Sequence, residues 1–185
     1  NALTSGSVGS DQTICSGQAP APFTVTVAPV TTCNVTYQWE RSTTSCVAGF
    51  SNISGATSAT YTSGALTQTT YFRRKISSGA SCTLTSNCIT VTVNANPTCS
   101  IANAPAAVCA GSTGNVYTAS GGGTYSWSIA TNNSSVIVGS NTNAAVTVTA
   151  GATAGTYTVT VVVTGANGCT SSCSKTVTVN ALPTL

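Results

Sequence analysis

The chain has 185 residues, of which 41% are hydrophobic and only 4% charged, with a formal net charge of +3, nine cysteines, no Met and no His. A charged fraction far below the roughly 25% of an ordinary soluble domain excludes a typical cytosolic surface, and the apolar content with low net charge excludes disorder. Thiols at this density point to disulfides in an oxidising compartment rather than to zinc, whose structural sites use Cys-x2-4-Cys knuckles in pairs or with His, whereas Cys82/Cys88 and Cys169/Cys173 each stand alone.

The chain opens on Asn1-Ala2-Leu3 with neither Met nor an apolar leader, so it reads as a mature fragment. No apolar run reaches the about 20 residues of a membrane span, so no membrane insertion is expected in this segment. After Ile14-Cys15-Ser16-Gly17 comes Phe23-Thr24-Val25-Thr26-Val27, whose alternation of apolar and hydroxylated side chains is the period-2 signature of a half-buried strand. Thr on the wet face is β-branched, so it favours the strand and keeps the surface polar without charge. Thr36-Tyr37-Gln38-Trp39 predicts the third strand of an immunoglobulin-type sandwich with Trp39 turned into the core. Thr70-Tyr71 opens a late strand, where Tyr71 takes the place of a tyrosine corner, and Ile89-Thr90-Val91-Thr92-Val93 closes the first unit.

The same phrases then return in order. Val108-Cys109-Ala110-Gly111 answers Ile14-Cys15-Ser16-Gly17, Thr124-Tyr125-Ser126-Trp127 answers the Trp39 strand, and Val177-Thr178-Val179-Asn180-Ala181 answers Val91-Thr92-Val93-Asn94-Ala95. Trp127 and Tyr157 become the core aromatics of the second copy, and Val146-Thr147-Val148-Thr149 alternates like the strands of the first. Both repeats are close to the roughly 100 residues of an Ig-sized sandwich. The fold class is therefore all-β: two tandem Ig-like β-sandwich domains, disulfide-stapled, over 1–94 and 95–180, with 181–185 beginning a following repeat or linker.

Sandwiches of this size are marginal on burial alone, so cross-links carry weight. Equivalence between the copies favours Cys15–Cys82 and Cys109–Cys169. Cys99–Cys173 would tie the entering strand of the second unit to its last, and Cys33–Cys46 would close the segment that carries Trp39. Cys88 is then left over, as a free thiol or as a bond to another chain or repeat.

The inventory of reactive groups is short. Asp11 and Glu40 are the only carboxylates, so paired-carboxylate glycoside cleavage, a His-based triad and a calcium cage all lack their residues. Lys75 and Lys175 have no identifiable partner for nucleophilic work. No catalytic residue, metal or cofactor is expected. Arg73-Arg74-Lys75 cluster on the late strand of the first unit and offer a surface contact for acidic polysaccharide, headgroups or nucleic acid. Pairing with Glu40 across neighbouring strands is the favoured alternative, and three charges without interleaved aromatics make no nucleic-acid groove. Alternation sets Arg73 and Lys75 on the face opposite Arg74, so one of the two faces must put charge into the core. Sequons at Asn34, Asn52, Asn132 and Asn133 arise readily in so Ser/Thr-rich a chain.

Ser10-Asp11-Gln12-Thr13-Ile14-Cys15-Ser16-Gly17 and Gly64-Ala65-Leu66-Thr67-Gln68-Thr69-Thr70-Tyr71-Phe72-Arg73-Arg74 resemble the Ig-like repeats of giant cell-surface proteins of Bacteroidota that are associated with gliding and type IX secretion. Gly155-Thr156-Tyr157-Thr158-Val159-Thr160 and Asn167-Gly168-Cys169-Thr170-Ser171-Ser172-Cys173 are similar to the PKD-like repeats that accompany them. The resemblance implies a secreted, tandem-repeat adhesin displayed as a filament at the cell surface. Its expected partners are neighbouring copies of the same repeat or chain and surface polysaccharide, and short linkers near Asn94-Ala95-Asn96-Pro97 would limit bending. A carbohydrate- or receptor-binding sandwich module is the alternative function.

Overall fold

The computed structural model describes residues 4–30, 34–78 and 82–183. It contains strands and no helix among them, and the chain forms two compact units, Asn1–Ala95 and Asn96–Leu185.

Unit 1 runs β1 (Ser7–Val8), β2 (Gln12–Cys15), β3 (Val25–Val27), β4 (Thr36–Ser42), β5 (Ser51–Asn52), β6 (Thr70–Ser78), β7 (Cys82–Thr85) and β8 (Ile89–Asn94). A six-stranded sheet in the order β2-β8-β6-β4-β5, with β7 on the far half of β6, faces a small sheet of β1 and β3. β2 lies parallel to β8, and every other pairing is antiparallel. Phe23, Trp39, Phe72, Ile89 and Val91 fill the space between the layers. The Phe23 ring is 4.9 Å from Phe72 and 5.8 Å from Trp39, tilted distances at which aromatic pairs attract. The Asn87 side-chain amide donates to the Val8 carbonyl and accepts from the Val8 amide, both at 2.8 Å, which pins the short β1 in place.

Unit 2 runs β9 (Ser100–Ala102), β10 (Ala107–Cys109), β11 (Asn115–Ser120), β12 (Thr124–Thr131), β13 (Val136–Val138), β14 (Ala145–Thr149), β15 (Gly155–Thr164) and β16 (Thr170–Asn180). Its sheets, β10-β16-β15-β12 and β13-β14-β11-β9, enclose Tyr117, Trp127, Val146, Val148 and the inward residues of β15 and β16. Tyr157, Val159, Val161 and Val163 alternate with outward threonines along β15, as the period-2 pattern requires, until Val162 breaks the rule on the wet face. Outside, Thr158 and Thr176 stand opposite each other with hydroxyls 2.9 Å apart, the charge-free cross-strand pair that the composition foretells.

The two units repeat one another in bonding as well as in sequence. The Trp39 amide donates to the Ala56 carbonyl at 2.8 Å and its indole to the Ser58 carbonyl at 3.0 Å; the Trp127 amide donates to Asn141 at 2.8 Å and its indole to Asn143 at 2.9 Å. In both units the tryptophan is buried and holds a neighbouring segment by two carbonyls spaced two residues apart. The parallel strands match too, for Cys15 stands opposite Asn94 and Cys109 opposite Asn180.

Register explains where the sulfur bridges differ from expectation. Cys99 and Cys173 are joined, across the two sheets of unit 2. Cys109 and Cys82 are free and exposed. Cys109 sits beside Asn180 at the far end of β16, whereas Cys169 immediately precedes that strand, about 35 Å away at ~3.3 Å per residue, far beyond the ~6 Å between bridged Cα atoms. Cys82 pairs with Ser78 at one end of β6 while Cys15 lies past the opposite end, so Cys15–Cys82 fails for the same reason. Cys15 and Cys169 are each disulfide-bonded, but not to these partners. Cys88 is no leftover: it bonds Cys46, which removes the expected Cys33–Cys46 bridge. Cys33 itself lies outside the described residues.

Candidate functional site

The charged residues converge on β4 and β6 of unit 1, and the pleat sorts them. Trp39 stands opposite Arg74 and Glu40 opposite Arg73, so Glu40, Arg73 and Lys75 share the outer face. Glu40 is 4% exposed and accepts from Arg73 Nε at 2.7 Å and Lys75 Nζ at 3.1 Å. The Arg73 guanidinium also lies over the Phe50 ring, 3.9 Å from its centroid. Burial alone would push the Glu40 carboxyl up, but the hydrogen bonds and charges of Arg73 and Lys75 outweigh it, and its pKa lies below the ordinary value.

Arg74 takes the opposite course and is 0% exposed, so it is a core residue and not a surface contact. Its Nη1 donates to the Ala59 carbonyl at 2.6 Å and its guanidinium faces the Tyr37 ring at 4.7 Å, while Nε and Nη2 find no hydrogen-bond partner among the described residues. Burial lowers its pKa. In unit 2 the residue opposite the tryptophan is Val161, and there the matching carbonyl, Ala144, accepts the Ala119 amide as a normal ladder bond at 2.8 Å. The Ala59 carbonyl thus accepts from the Arg74 side chain where its counterpart in unit 2 accepts a backbone amide, and the segment after Ala56 is bridged to Phe23 through Tyr61. The exposed cationic patch expected of Arg73, Arg74 and Lys75 thus reduces to two cations neutralised in part by one carboxylate.

The core aromatics separate in the same way. Trp39 and Trp127 are buried as expected, and so is Tyr157, whose hydroxyl pairs with that of Tyr117. Burial first, then the hydrogen bond, raises the Tyr117 pKa, and burial raises that of Tyr157. Tyr71 is half-buried on the outer face, because Thr70, not Tyr71, is the residue of β6 that points inward. The matching Thr-Tyr phrases are thus one residue out of register, and a slip of one reverses every face. Tyr117, the true partner of Tyr157, lies in no repeated phrase, so no sequence signal singled it out.

A concave site forms where β4 ends. A cleft of about 360 Å³ opens between the loop after β4 and the loop before β6, with Arg41 and Gln68 at its rim and Ser42, Leu66 and Thr70 buried in its walls. Ser42 Oγ donates to the Ala48 carbonyl at 2.7 Å and accepts from the Thr44 amide at 3.0 Å, which closes the first loop on itself. Gly49 completes the turn at φ +76°, where a Cβ would come within 2.9 Å of Ser42 Oγ. The Cys46–Cys88 bridge ties this loop to the start of β8. The opposite wall is held by Thr70 Oγ1 donating to the Gln68 carbonyl at 2.9 Å and by backbone bonds of 2.8 and 2.9 Å joining Leu66 to Gly17 and Gln18.

Arg41 is exposed in this cleft. Neither carboxylate of the chain is its partner: Glu40 is engaged on the other face of β4, and Asp11 accepts the Thr90 amide at 2.8 Å. Among the described residues no group of three or more His, Cys, Asp or Glu side chains is gathered as a metal would require. Among the described residues no helix is long and apolar enough to cross a membrane.

Sheet order, core and cystines make this an all-β protein of Ig-like, disulfide-stapled sandwich units. A family model described as a domain of unknown function, DUF8696, matches residues 4–95. No curated protein matches the chain. Among solved structures it is similar to Drosophila N-cadherin EC1-4, at 10% identity and a TM-score of 0.42, covering 92% of this chain and 47% of that one. It is also similar to the fibronectin(III)-like modules of CbhA from Clostridium thermocellum, at 14% identity and a TM-score of 0.37, covering 97% and 94%. Extracellular cadherin domains 3-6 of protocadherin gamma B2 match at 10% identity and a TM-score of 0.37, covering 93% and 46%. The chain spans about half the length of both cadherin structures.

Proposed function

We propose that the chain is a non-catalytic structural and adhesive module of an extracellular surface protein, one stretch of a tandem array of sandwiches displayed as a filament. The observation that carries this reading is the commitment of both carboxylates to structure, Glu40 to Arg73 and Lys75 and Asp11 to the Thr90 amide. With no His in the chain, neither carboxylate has an imidazole with which to share acid–base work. The repeated tryptophan bonding supports an array built by copying one unit, and the cystines support an oxidising, external location. The sequence phrases shared with gliding-associated, type IX-secreted repeat proteins support a parent of that kind, with neighbouring repeats as its main partners. Electron microscopy of the native material should show continuous fibres with a domain-sized period, and cells lacking the array should lose attachment. Isolated, non-fibrous particles together with undiminished attachment would refute the proposal.

A second reading, a glycan- or receptor-binding module, is favoured by one observation: the preformed cleft holds Arg41, which forms no ion pair among the described residues.

A further inference from the structure

The geometry points to the Arg41 cleft of unit 1 as a binding site for a carboxylated sugar, a uronic-acid residue of an acidic polysaccharide. This deepens the adhesive reading above and rests on it.

Charge comes first. Unit 1 holds Arg41, Arg73, Arg74 and Lys75 against Asp11 and Glu40. Two of those cations share Glu40 and one is buried in the core, so among the described residues of the unit Arg41 is the exposed cation that forms no ion pair with a carboxylate. A guanidinium is a planar fork that matches a carboxylate in two parallel bonds, and it is more weakly hydrated than an ammonium, so it yields its water readily to such a ligand.

Shape and lining narrow the class. About 360 Å³ lies at the lower end of small-ligand sites and holds one or two sugar rings rather than a folded partner. Apart from Arg41 the walls carry hydroxyls, the Gln68 amide and little apolar surface beyond Ala65 and Leu66, and no aromatic ring. Hydroxyls and an amide both donate and accept, as a sugar's own hydroxyls require. The lack of a ring to stack on removes the usual grip on a neutral sugar and leaves the charge-assisted bond as the source of affinity. A peptide carboxylate would need apolar subsites for its side chains that this lining lacks. The walls are already fixed by the Ser42 bonds, Gly49 and the Cys46–Cys88 bridge, so little ordering cost falls on binding.

Oligogalacturonates of two to four residues, titrated into the full chain and followed by amide chemical shifts, test the assignment. Neutral galactose oligomers and a sulfated disaccharide serve as comparison ligands. The shifts should cluster at Arg41, Gln68 and Thr70, weaken with added salt, and be absent with the neutral oligomer. Arg41→Gln, an exposed substitution whose fold is checked by the unchanged spectrum of the remaining residues, should reduce affinity by about tenfold or more. Equal binding of the neutral oligomer, preference for the sulfated sugar, shifts centred on Arg73 and Lys75, full binding by Arg41→Gln, or no binding at all would each overturn the site. Fibres and attachment that persist while the site fails would leave the adhesive reading standing, and their loss with the site intact would do the reverse.

Discussion

A single hydroxyl pair shows how unit 2 handles polarity without charge. Tyr117 and Tyr157 meet in the core at edge-to-face geometry, ring centroids 6.3 Å apart, and each hydroxyl satisfies the other. Removing one partner orphans the second in a place where no water can replace it. Tyr117→Phe should therefore cost about 1–3 kcal/mol, while the double change to Phe at 117 and 157 should recover most of that loss. Equilibrium denaturation of the three variants measures the difference, and equal losses from the single and double changes would show that the hydroxyls are independent. Both tyrosines have raised pKa values, so their contribution is fully present below the unfolded value of about 10 and disappears as alkaline pH climbs through the folded values. The pairing was not legible in the sequence, because Tyr117 and Tyr157 are far apart in the chain and only the facing of the two sheets brings their tips together.

Among elements, β6 carries the most information about how the two units diverged. Its inward positions run Thr70, Phe72, Arg74, Ile76, and three of the four are what a sandwich core accepts. Arg74 is the exception. It occupies the site of Val161 in unit 2 and donates to the Ala59 carbonyl, while the second sheet of unit 1 consists of β1 and β3 among the described residues. A buried cation with no carboxylate partner, and with Nε and Nη2 unbonded among the described residues, is costly, and replacing buried ionic groups by apolar residues of similar size often stabilises a fold by about 1–4 kcal/mol. Arg74→Met should raise the unfolding free energy by about that amount and slow hydrogen exchange at the Val25 amide, as Ala59 returns to the ladder. A loss of stability with unchanged exchange would mean that the Ala59 and Tyr37 contacts fully offset the burial.

On the scale of the whole molecule, ionisable groups are distributed unevenly. Unit 2 contains Lys175 as its one charged side chain, whereas unit 1 holds both carboxylates and four cations. Glu40, held below its ordinary pKa, contributes stability that is complete above the unfolded carboxyl value near 4 and is lost as pH falls through the lower folded value. Acidification should therefore loosen unit 1 while unit 2 stays unchanged. Strand-by-strand hydrogen exchange on the intact chain, at pH 6 and at pH 3, reads the two together. Glu40→Gln should remove most of the pH response of β4 and β6; a response that survives the change, or that appears equally in β15 and β16, contradicts this division.

The sequence by itself determined the strand-only architecture, the ordered repeat of phrases, the inward tryptophans and the exclusion of histidine chemistry, and it favoured a cross-strand pairing of Glu40 with the Arg73–Lys75 cluster without naming the partner. Each of these follows from a local period, an ordered repeat or an inventory of residue types, all of which exist before the chain folds. Tertiary structure decided which of Arg73 and Arg74 enters the core, which tyrosine does, and which cysteines meet, because those outcomes turn on register, and one residue of slip exchanges the faces of a strand. It also decided the Arg41 cleft, whose walls come from residues 41–51 and 65–70 and become neighbours only when β4 and β6 pair.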